Sequence, residues 1–359
     1  MNKPLFDSLE IRQFRAFDYL KIEQLGHINL IIGKNNVGKS TLLEALYLHA
    51  NMGSPQAMRR ILDMRNEPYD SLHTGRPEPG FNNLFFGNPR LNDVNQEIQI
   101  GRLGAPDSSL RISVPQVTAR FSINNENDSE IKDRVPALQV GGIGDSDYLL
   151  PLDLSFDRLE NFWNLSIKDI AILTPCYFIH PNGLSVSQLQ TLWDELALKA
   201  EKQDIINALR IVSLEVEDLA LFSPRPEVRA FNIRLHGHRE PVPAASLGDG
   251  FNRLIGLSMA LVRSSDGLLL VDEIENGLHW SVLPYVWKFI VKVAKRLNVQ
   301  VFATTHSNDC LRAFQVGTKD DPEVTGMAVR LEKRDNEFHA EVFDKQRLDV
   351  IVNERIEIR

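Results

Sequence analysis

Residues 33–40 read GKNNVGKS, two glycines separated by four residues and followed at once by a lysine and a serine. Glycines at this spacing let main-chain N–H groups turn inward around a phosphate, while the Lys39 amine reaches the β- and γ-phosphate oxygens. The Ser40 hydroxyl is a ligand for Mg²⁺. The sequence therefore predicts a nucleotide-binding loop, formed by Gly33, Asn35, Asn36, Val37, Gly38, Lys39, Ser40 and Thr41.

Two acids end an apolar run at residues 268–273, LLLVDE. Carboxylates suit a buried strand poorly, so we expect them to emerge at its carboxyl end, the edge where α/β folds bind ligands. There Asp272 can hold Mg²⁺, directly or through water, and Glu273 can polarise an attacking water molecule. The alternative is that Glu273 begins a loop and is only solvated. The phosphate loop favours the catalytic interpretation.

A histidine follows a second apolar run at residues 301–307, VFATTHS. His306 can donate a hydrogen bond to a γ-phosphate or hold the water molecule in place. A lone histidine is usually structural, but this one stands after the strand that follows the acidic one. His306 therefore joins Glu273 and Lys39 as a catalytic candidate.

A second glycine-containing loop, ASLGDG at residues 245–250, stands directly before an amphipathic helix. The N-terminus of a helix can bind a phosphate through its free N–H groups. Alternatively, Ser246 or Asp249 caps its own helix. The residues of this loop alone leave both interpretations open.

Regular elements are expected around each of these motifs. Residues 27–32 are typical of a buried strand and residues 39–50 of a helix with one apolar face. From Asp249 onward the pattern alternates between helix and strand, which indicates parallel strands joined by helical crossovers. The predicted class is α/β, with a parallel core sheet that carries the phosphate loop.

The segment between the helix at 39–50 and the alternating pattern from Asp249 onward has a different sequence pattern. Short strand-like pieces at 97–101, 110–114, 117–123 and 148–154 predict an antiparallel β-rich lobe, with a polar turn at 124–130. The glycine run at 141–144 precedes no helix, so we do not assign it a phosphate. Residues 187–200 and 204–212 predict two short helices, too short for a coiled-coil arm.

Together these motifs resemble the ATP-binding heads of the SMC/RecF/OLD branch of ABC-type ATPases. The matching segments are GKNNVGKST as Walker A, SLGDG as signature, LLLVDE as Walker B and TTHS as switch histidine. The resemblance implies one head over 1–359, with a core from 1–52 and 213–345, a β-rich insertion at about 53–184 and a helical insertion at about 185–212. It also implies ATP hydrolysis with Mg²⁺ held by Ser40 and Asp272.

The same resemblance implies a homodimer in which two ATP molecules lie between two heads. Each ATP would contact Walker A of one chain and the signature of the other. The signature residues expected to bind the partner's γ-phosphate are Ser246, Gly248, Asp249 and Gly250. This sequence departs from the LSGGQ consensus, has His279 where a D-loop aspartate is expected, and offers no clear Q-loop glutamine.

Three arginines are further candidates. Arg253, one turn into the helix after the signature, can support the phosphate or pair with an acid. Arg12 and Arg15 can stack near the adenine or lie solvated.

Bulk composition bounds the remaining possibilities. The net charge of −8 argues against a surface coated in basic residues for nucleic acid, and arginines such as Arg59, Arg60 and Arg229 are scattered, so DNA stays a candidate partner only. Cys176 and Cys310 stand far apart, which favours a reducing compartment. The first residues lack a signal peptide and no apolar window suits a membrane span, so the cytoplasm is expected.

Three functional classes follow from these features. The first is an ATP-hydrolysing switch that controls DNA or a separate effector such as a nuclease, in phage defence or DNA repair. The second is a nucleotide-dependent scaffold or sensor without turnover, and the third is a transporter ATPase subunit, disfavoured by the absence of LSGGQ. Relatives of this branch often carry a TOPRIM nuclease, for which the residues after the last core helix leave no room.

Overall fold

A computed structural model describes residues 2–67, 80–90, 95–121, 131–142, 147–151, 174–222, 229–319, 321 and 323–354. The strands are β1 (Leu9–Phe14), β2 (Phe17–Ile22), β3 (Ile28–Ile32), β4 (Ile98–Gly101), β5 (Leu110–Ser113), β6 (Gln116–Phe121), β7 (Ile131–Gly141), β8 (Tyr148–Pro151), β9 (Cys176–Ile179), β10 (Val216–Phe222), β11 (Ala230–Leu235), β12 (Val242–Pro243), β13 (Leu268–Val271), β14 (Gln300–Thr305), β15 (Gly326–Arg334) and β16 (Glu337–Phe343). The α-helices are α1 (Lys39–Ala50), α2 (Pro55–Met64), α3 (Val186–Leu196), α4 (Lys202–Leu209), α5 (Asp249–Arg263), α6 (Leu283–Leu297), α7 (Asn308–Lys319) and α8 (Lys345–Asn353).

Six strands form the central sheet, in the order β16-β15-β3-β14-β13-β9. All neighbours are parallel except the edge pair β15 and β16. Every residue of β3, β13 and β14 is buried. Strands covered on both faces read as continuous apolar runs, which is why their sequences lack alternation. Their carboxyl ends share one edge of the sheet.

A second, antiparallel sheet has the order β2-β1-β4-β5-β7-β6, with β8 paired to β7. Helix α1 lies between this sheet and the central sheet, and nine of its 12 residues are buried. Leu42 and Leu46 of α1 join a core with Ile11 of β1 and Leu270 of β13. The antiparallel sheet therefore covers the helix that follows the phosphate loop.

The opposite face of the central sheet packs on helices. Leu269 and Val271 of β13 point into a core with α5, α6 and α7, and α3 and α4 extend that core toward a third sheet, β10-β11-β12. Successive residues of β13 thus alternate between the two cores, as the period of a strand requires.

The predicted α/β class, with a parallel core, an antiparallel lobe and a short helical insertion, is confirmed. The division of the chain into core and insertions remains a prediction. Three strands do not belong to the sheet that this division assigns to their segment. β1 and β2 pair within the antiparallel sheet, because their apolar faces cover α1, whereas β9 joins the parallel core beside β13. The predicted turn at 124–130 and residues 143–144 of the glycine run lie outside the described residues.

Some described elements had no counterpart in the sequence prediction. They are α2, the hairpin of β15 and β16, and α8. No helix in the described ranges is long and apolar enough to cross a membrane.

Candidate nucleotide-binding site

The phosphate loop connects β3 to α1 in a conformation that needs its glycines. Gly33 has φ 147° and Gly38 φ 88°, and Asn36 between them has φ 64°. A Cβ on Gly38 would lie 2.5 Å from the ring of Phe17, and one on Gly33 would lie 2.5 Å from a main-chain oxygen of β15. The loop therefore fits between β2 and β15 only with glycine at both positions.

Lys39 folds back across this loop. Its amine donates hydrogen bonds to the main-chain oxygens of Gly33 at 2.7 Å and Lys34 at 2.8 Å. Burial lowers the pKa of the Lys39 amine below its usual value, while the carboxylates of Asp272, Glu273 and Glu275 oppose that effect. The ammonium group lies at the centre of a loop whose conformation suits a bound phosphate.

Asp272 follows β13 at the carboxyl edge and is 4% exposed. Its carboxylate accepts a hydrogen bond from the hydroxyl of Thr304 at the same level of β14, and its N–H donates to Ile179 at 2.9 Å. Asp272 and Ser40 line one cleft of about 430 Å³. A carboxylate and a hydroxyl on the wall of a phosphate-sized cleft are the oxygen ligands that Mg²⁺ prefers, so these residues fit the cation.

Glu273 lies outside the sheet in a left-handed conformation, with φ 48°. Its N–H donates to the Thr304 hydroxyl at 2.8 Å, and its Oε2 accepts a 2.6 Å hydrogen bond from the Asn276 amide. The side chain is 35% exposed and lines the same cleft. The strained backbone turns the carboxylate toward the cleft, where its other oxygen can meet a water molecule.

His306 follows β14 and lies beside the two glutamates. Its Nδ1 is 3.8 Å from Oε1 of Glu273 and 3.9 Å from Oε1 of Glu275. The ring is 47% exposed, and the His306 N–H donates to Glu275 at 3.2 Å. The structure thus brings together Lys39, Ser40, Asp272, Glu273 and His306, as the motifs predicted.

His180 is a site residue that the motifs did not reveal. It follows β9, and because Ile179 pairs with Val271, it stands level with Asp272 on the neighbouring strand. It also lines the cleft. The signal in the sequence is CYFIH, one more apolar strand that ends in a polar residue.

Arg253 binds main-chain oxygens, and no ion pair with an acid is found for it among the described residues. Its guanidinium is buried and donates to the main-chain oxygens of His180 at 3.1 Å, Asp272 at 3.2 Å and Glu273 at 3.0 Å. It therefore connects α5 to the ends of β9 and β13 through hydrogen bonds to main-chain carbonyl groups.

The two N-terminal arginines differ in exposure: Arg15 is buried, whereas the Arg12 side chain is 49% exposed. Arg15 is 5% exposed and forms ion pairs with Glu44 and Glu67, and Arg12 pairs with Glu10 and lies 4.6 Å from the ring of Tyr19. Burial of Arg15 with two carboxylates is the better account of its chemistry, because a buried guanidinium requires counter-charges.

Arg65 completes this cluster, and both Arg65 and Glu44 line the cleft. It donates to both carboxylate oxygens of Glu44 at 2.7 and 3.0 Å and to the Thr41 hydroxyl at 3.1 Å. The cluster ties α2 to the first turn of α1, which carries Ser40 and Thr41. It went unnoticed in the sequence because its members are 21 and 24 residues apart.

The loop at 245–250 shows a helix start without a side-chain cap. Gly248 is the N-cap of α5 with φ 98°, no described side chain caps it, and the Ser246 hydroxyl donates to Pro243 at 2.7 Å. The alternative in which Ser246 or Asp249 caps the helix is therefore wrong. Ser246, Gly248 and Asp249 are exposed, and none of residues 246–250 is among those lining the cleft at Lys39.

Two family models and one curated relative match long segments of this sequence. Residues 6–114 match the family described as "AAA ATPase domain", and residues 174–311 match "AAA domain, putative AbiEii toxin, Type IV TA system". The chain is 22% identical over 340 residues to a Helicobacter pylori protein named ATP/GTP phosphatase, a match that covers 85% of this chain and 86% of that protein.

Two further similarities concern a shorter segment and the fold. An uncharacterised Methanocaldococcus jannaschii protein, MJECL10, is 50% identical over 106 residues, 26% of this chain and 48% of that protein. A crystal structure of an SMC head bound to the C-winged helix domain of ScpA superposes with a TM-score of 0.51 and 13% identity, covering 95% of this chain and 98% of the other. The fold is thus that of an SMC head, and the comparisons support an ATPase of the ABC/AAA class.

Proposed function

We propose that this protein is an ATP-hydrolysing switch. One observation carries the proposal: the groups needed for phosphate binding and for water activation surround the ends of three adjacent parallel strands. Lys39 follows β3, Asp272 and Glu273 follow β13, and His306 follows β14. Such a set has little other use than phosphoryl transfer to water.

The roles of the side chains follow from their positions. Lys39 would leave the loop carbonyls to neutralise the β- and γ-phosphate oxygens. Glu273, with one oxygen held by Asn276, would accept a proton from the attacking water through the other. His306 would donate to the γ-phosphate. Ser40 and Asp272 would hold Mg²⁺, which supplies positive charge against the phosphate oxygens.

The signature loop supports a head-to-tail dimer around two ATP molecules. The exposed start of α5, with Gly248 as its cap, leaves main-chain N–H groups free for an anion. Because residues 246–250 do not line the cleft of their own chain, the phosphate they bind would belong to a partner copy. Trp280, 64% exposed just after the Walker B segment, is an aromatic residue suited to that interface.

The output of the switch is a DNA-linked process or a separately encoded effector such as a nuclease, acting in the cytoplasm in phage defence or DNA repair. The SMC head of similar fold was solved with a domain of another protein, ScpA, which supports a partner protein here. DNA binding is tested by a gel shift with ATP at low and moderate salt. A shift that weakens with salt would favour DNA, and its absence at low salt would leave a protein effector.

The Glu273→Gln variant tests hydrolysis. We expect phosphate release to fall by about 10²- to 10⁴-fold while ATP binding persists. Glu97→Gln, at an exposed position in the antiparallel lobe, is the matched control and should keep wild-type turnover. Unchanged turnover in Glu273→Gln would refute the assigned base. A wild-type protein that dimerises on ATP without releasing phosphate would instead be a nucleotide-dependent scaffold.

The Ser246→Arg variant tests the dimer. A bulky cation at the exposed loop should block association, so size-exclusion chromatography with light scattering should show a monomer with ATP, while ATP binding is retained. Gln203→Arg adds the same charge to the exposed surface of α4 and should still dimerise. ATP-driven dimers of Ser246→Arg would remove this loop from the interface.

A further inference from the structure

Glu275 carries a mostly buried carboxylate that the proposed chemistry does not use. It follows Glu273 by two residues, and its side chain is 13% exposed. One oxygen, Oε1, accepts the main-chain N–H of His306 at 3.2 Å. The other, Oε2, is buried and has no hydrogen-bond partner among the residues that the structure describes. A buried acceptor without a donor is costly and needs an explanation.

The ring of His306 is a donor that lies close to the other oxygen of Glu275. Its Nδ1 is 3.9 Å from Oε1 of Glu275, so a hydrogen bond between them needs a small movement of either side chain. Nδ1 lies equally close to Glu273, at 3.8 Å. The ring therefore has two carboxylates nearby, and either of them could accept a hydrogen bond from Nδ1–H.

The surroundings of the two acids decide between them. Glu273 already accepts the Asn276 amide at Oε2, and its side chain lines the cleft where a water molecule must bind. Glu275 already accepts the main-chain N–H of His306 at Oε1, the same oxygen that lies 3.9 Å from Nδ1 of the ring. A bond to Glu275 fixes the ring at two points and leaves Glu273 free.

The charges around Glu275 are compatible with this role. The negative charge of Glu275 acts to raise the pKa of both Arg253 and Lys39. The hydrogen bonds of these two groups go elsewhere: the Arg253 guanidinium donates to carbonyl oxygens and the Lys39 amine to the phosphate loop. Among the described residues, the side chain within ion-pair distance of the Glu275 carboxylate is the ring of His306.

We propose that Glu275 is a positioning residue for His306: its carboxylate accepts a hydrogen bond from Nδ1–H, holds the ring in its doubly protonated form, and directs Nε2–H to the γ-phosphate of bound ATP. A carboxylate that accepts from one ring nitrogen orients the ring and favours its charged form, in which both nitrogens are donors, as in other histidine sites. This inference rests on the proposed function, because it concerns the same hydrolytic site.

A double-mutant cycle between Glu275 and His306 tests the inference. We expect Glu275→Gln to lower kcat for ATP by about 10- to 100-fold with KM changed less than about 2-fold, as for removal of a supporting carboxylate. In a His306→Ala background the same change should alter kcat less than about 2-fold, because the residue it positions is gone. Equal losses in both backgrounds would overturn the proposal. Glu97→Gln serves as the control and should change neither background.

A second measurement does not depend on turnover. In Glu273→Gln protein with ATP and Mg²⁺, nitrogen NMR of labelled histidines should show His306 with protons on both Nδ1 and Nε2, and adding Glu275→Gln should reduce the share of this doubly protonated form. A His306 signal unaffected by Glu275→Gln would refute the positioning role. Lack of phosphate release by the wild-type protein would count against the proposed hydrolysis instead. The NMR result would still show whether His306 and Glu275 form a hydrogen bond.

Discussion

The Arg253 guanidinium donates a 3.0 Å hydrogen bond to the main-chain oxygen of Glu273. Arg253 lies one turn into α5, the helix that begins at the signature loop, and Glu273 is the proposed base. A single buried side chain thus joins the helix that would meet a partner's ATP to the segment that would activate water. The same guanidinium also reaches His180, so it touches the ends of two core strands.

Replacing Arg253 by Met should destabilise the protein by about 2–4 kcal/mol, because buried carbonyl oxygens lose their donors. Urea unfolding measures this loss. Arg263→Met on the same helix is the control: Arg263 is 48% exposed and pairs with Glu195, so its loss should cost less than about 0.5 kcal/mol. Equal costs for the two variants would contradict the contacts described for Arg253.

Glu44→Gln should destabilise the protein by about 3–5 kcal/mol, because it removes the carboxylate shared by Arg15 and Arg65. Its exposed counterpart, Glu23→Gln, breaks a surface pair with Lys21 and should change the free energy of unfolding by less than about 0.5 kcal/mol. A mild effect of Glu44→Gln in urea unfolding would show that the cluster is solvated.

The motifs predicted most of the core site because their chemistry is local. Walker A, the acids after β13 and His306 each follow a strand whose apolar run identifies it, so parallel topology brings them to one edge. The sequence signal was weaker for α2, although Ser54 as N-cap and Pro55 in the first turn could have revealed it.

The remaining features depend on long-range contacts that a sequence pattern does not encode. Arg253 stands 73 residues from His180, with which it shares a hydrogen bond, and Arg15 stands far from Glu44 and Glu67. Neither local spacing nor residue type distinguishes a guanidinium that binds carbonyl groups from one that binds phosphate. Likewise, only the packing of β9 against β13 places His180 beside Asp272.

Stability should fall in mild acid because of His49. Burial lowers the pKa of His49 to about 4 from the usual 6.5, and its Nε2 bonds the Ser108 carbonyl at 3.1 Å. The neutral ring is thus favoured in the folded state, so its contribution is complete above pH 6.5 and is lost as the pH falls toward 4. Between pH 7.5 and 5 the free energy of unfolding should drop by about 2 kcal/mol from this group.

Urea unfolding at these two pH values tests this dependence. His49→Gln, which keeps a donor for Ser108, should lose about 2 kcal/mol less than wild type on acidification. His339→Gln, at a half-exposed ring, should behave as wild type. An identical acid response in all three proteins would show that His49 does not control it.

The central claim is that each ATP is bound by Walker A of one chain and the signature loop of the other. Mixing Lys39→Ala protein with Ser246→Arg protein tests it most directly. Each variant alone should be inactive, since both of its sites are damaged. In a mixed dimer one site is intact and only the other carries the arginine, so a 1:1 mixture should recover phosphate release, up to about half of the wild-type rate if every dimer is mixed. A mixture as inactive as its components, or Ser246→Arg protein active alone, would contradict the shared site.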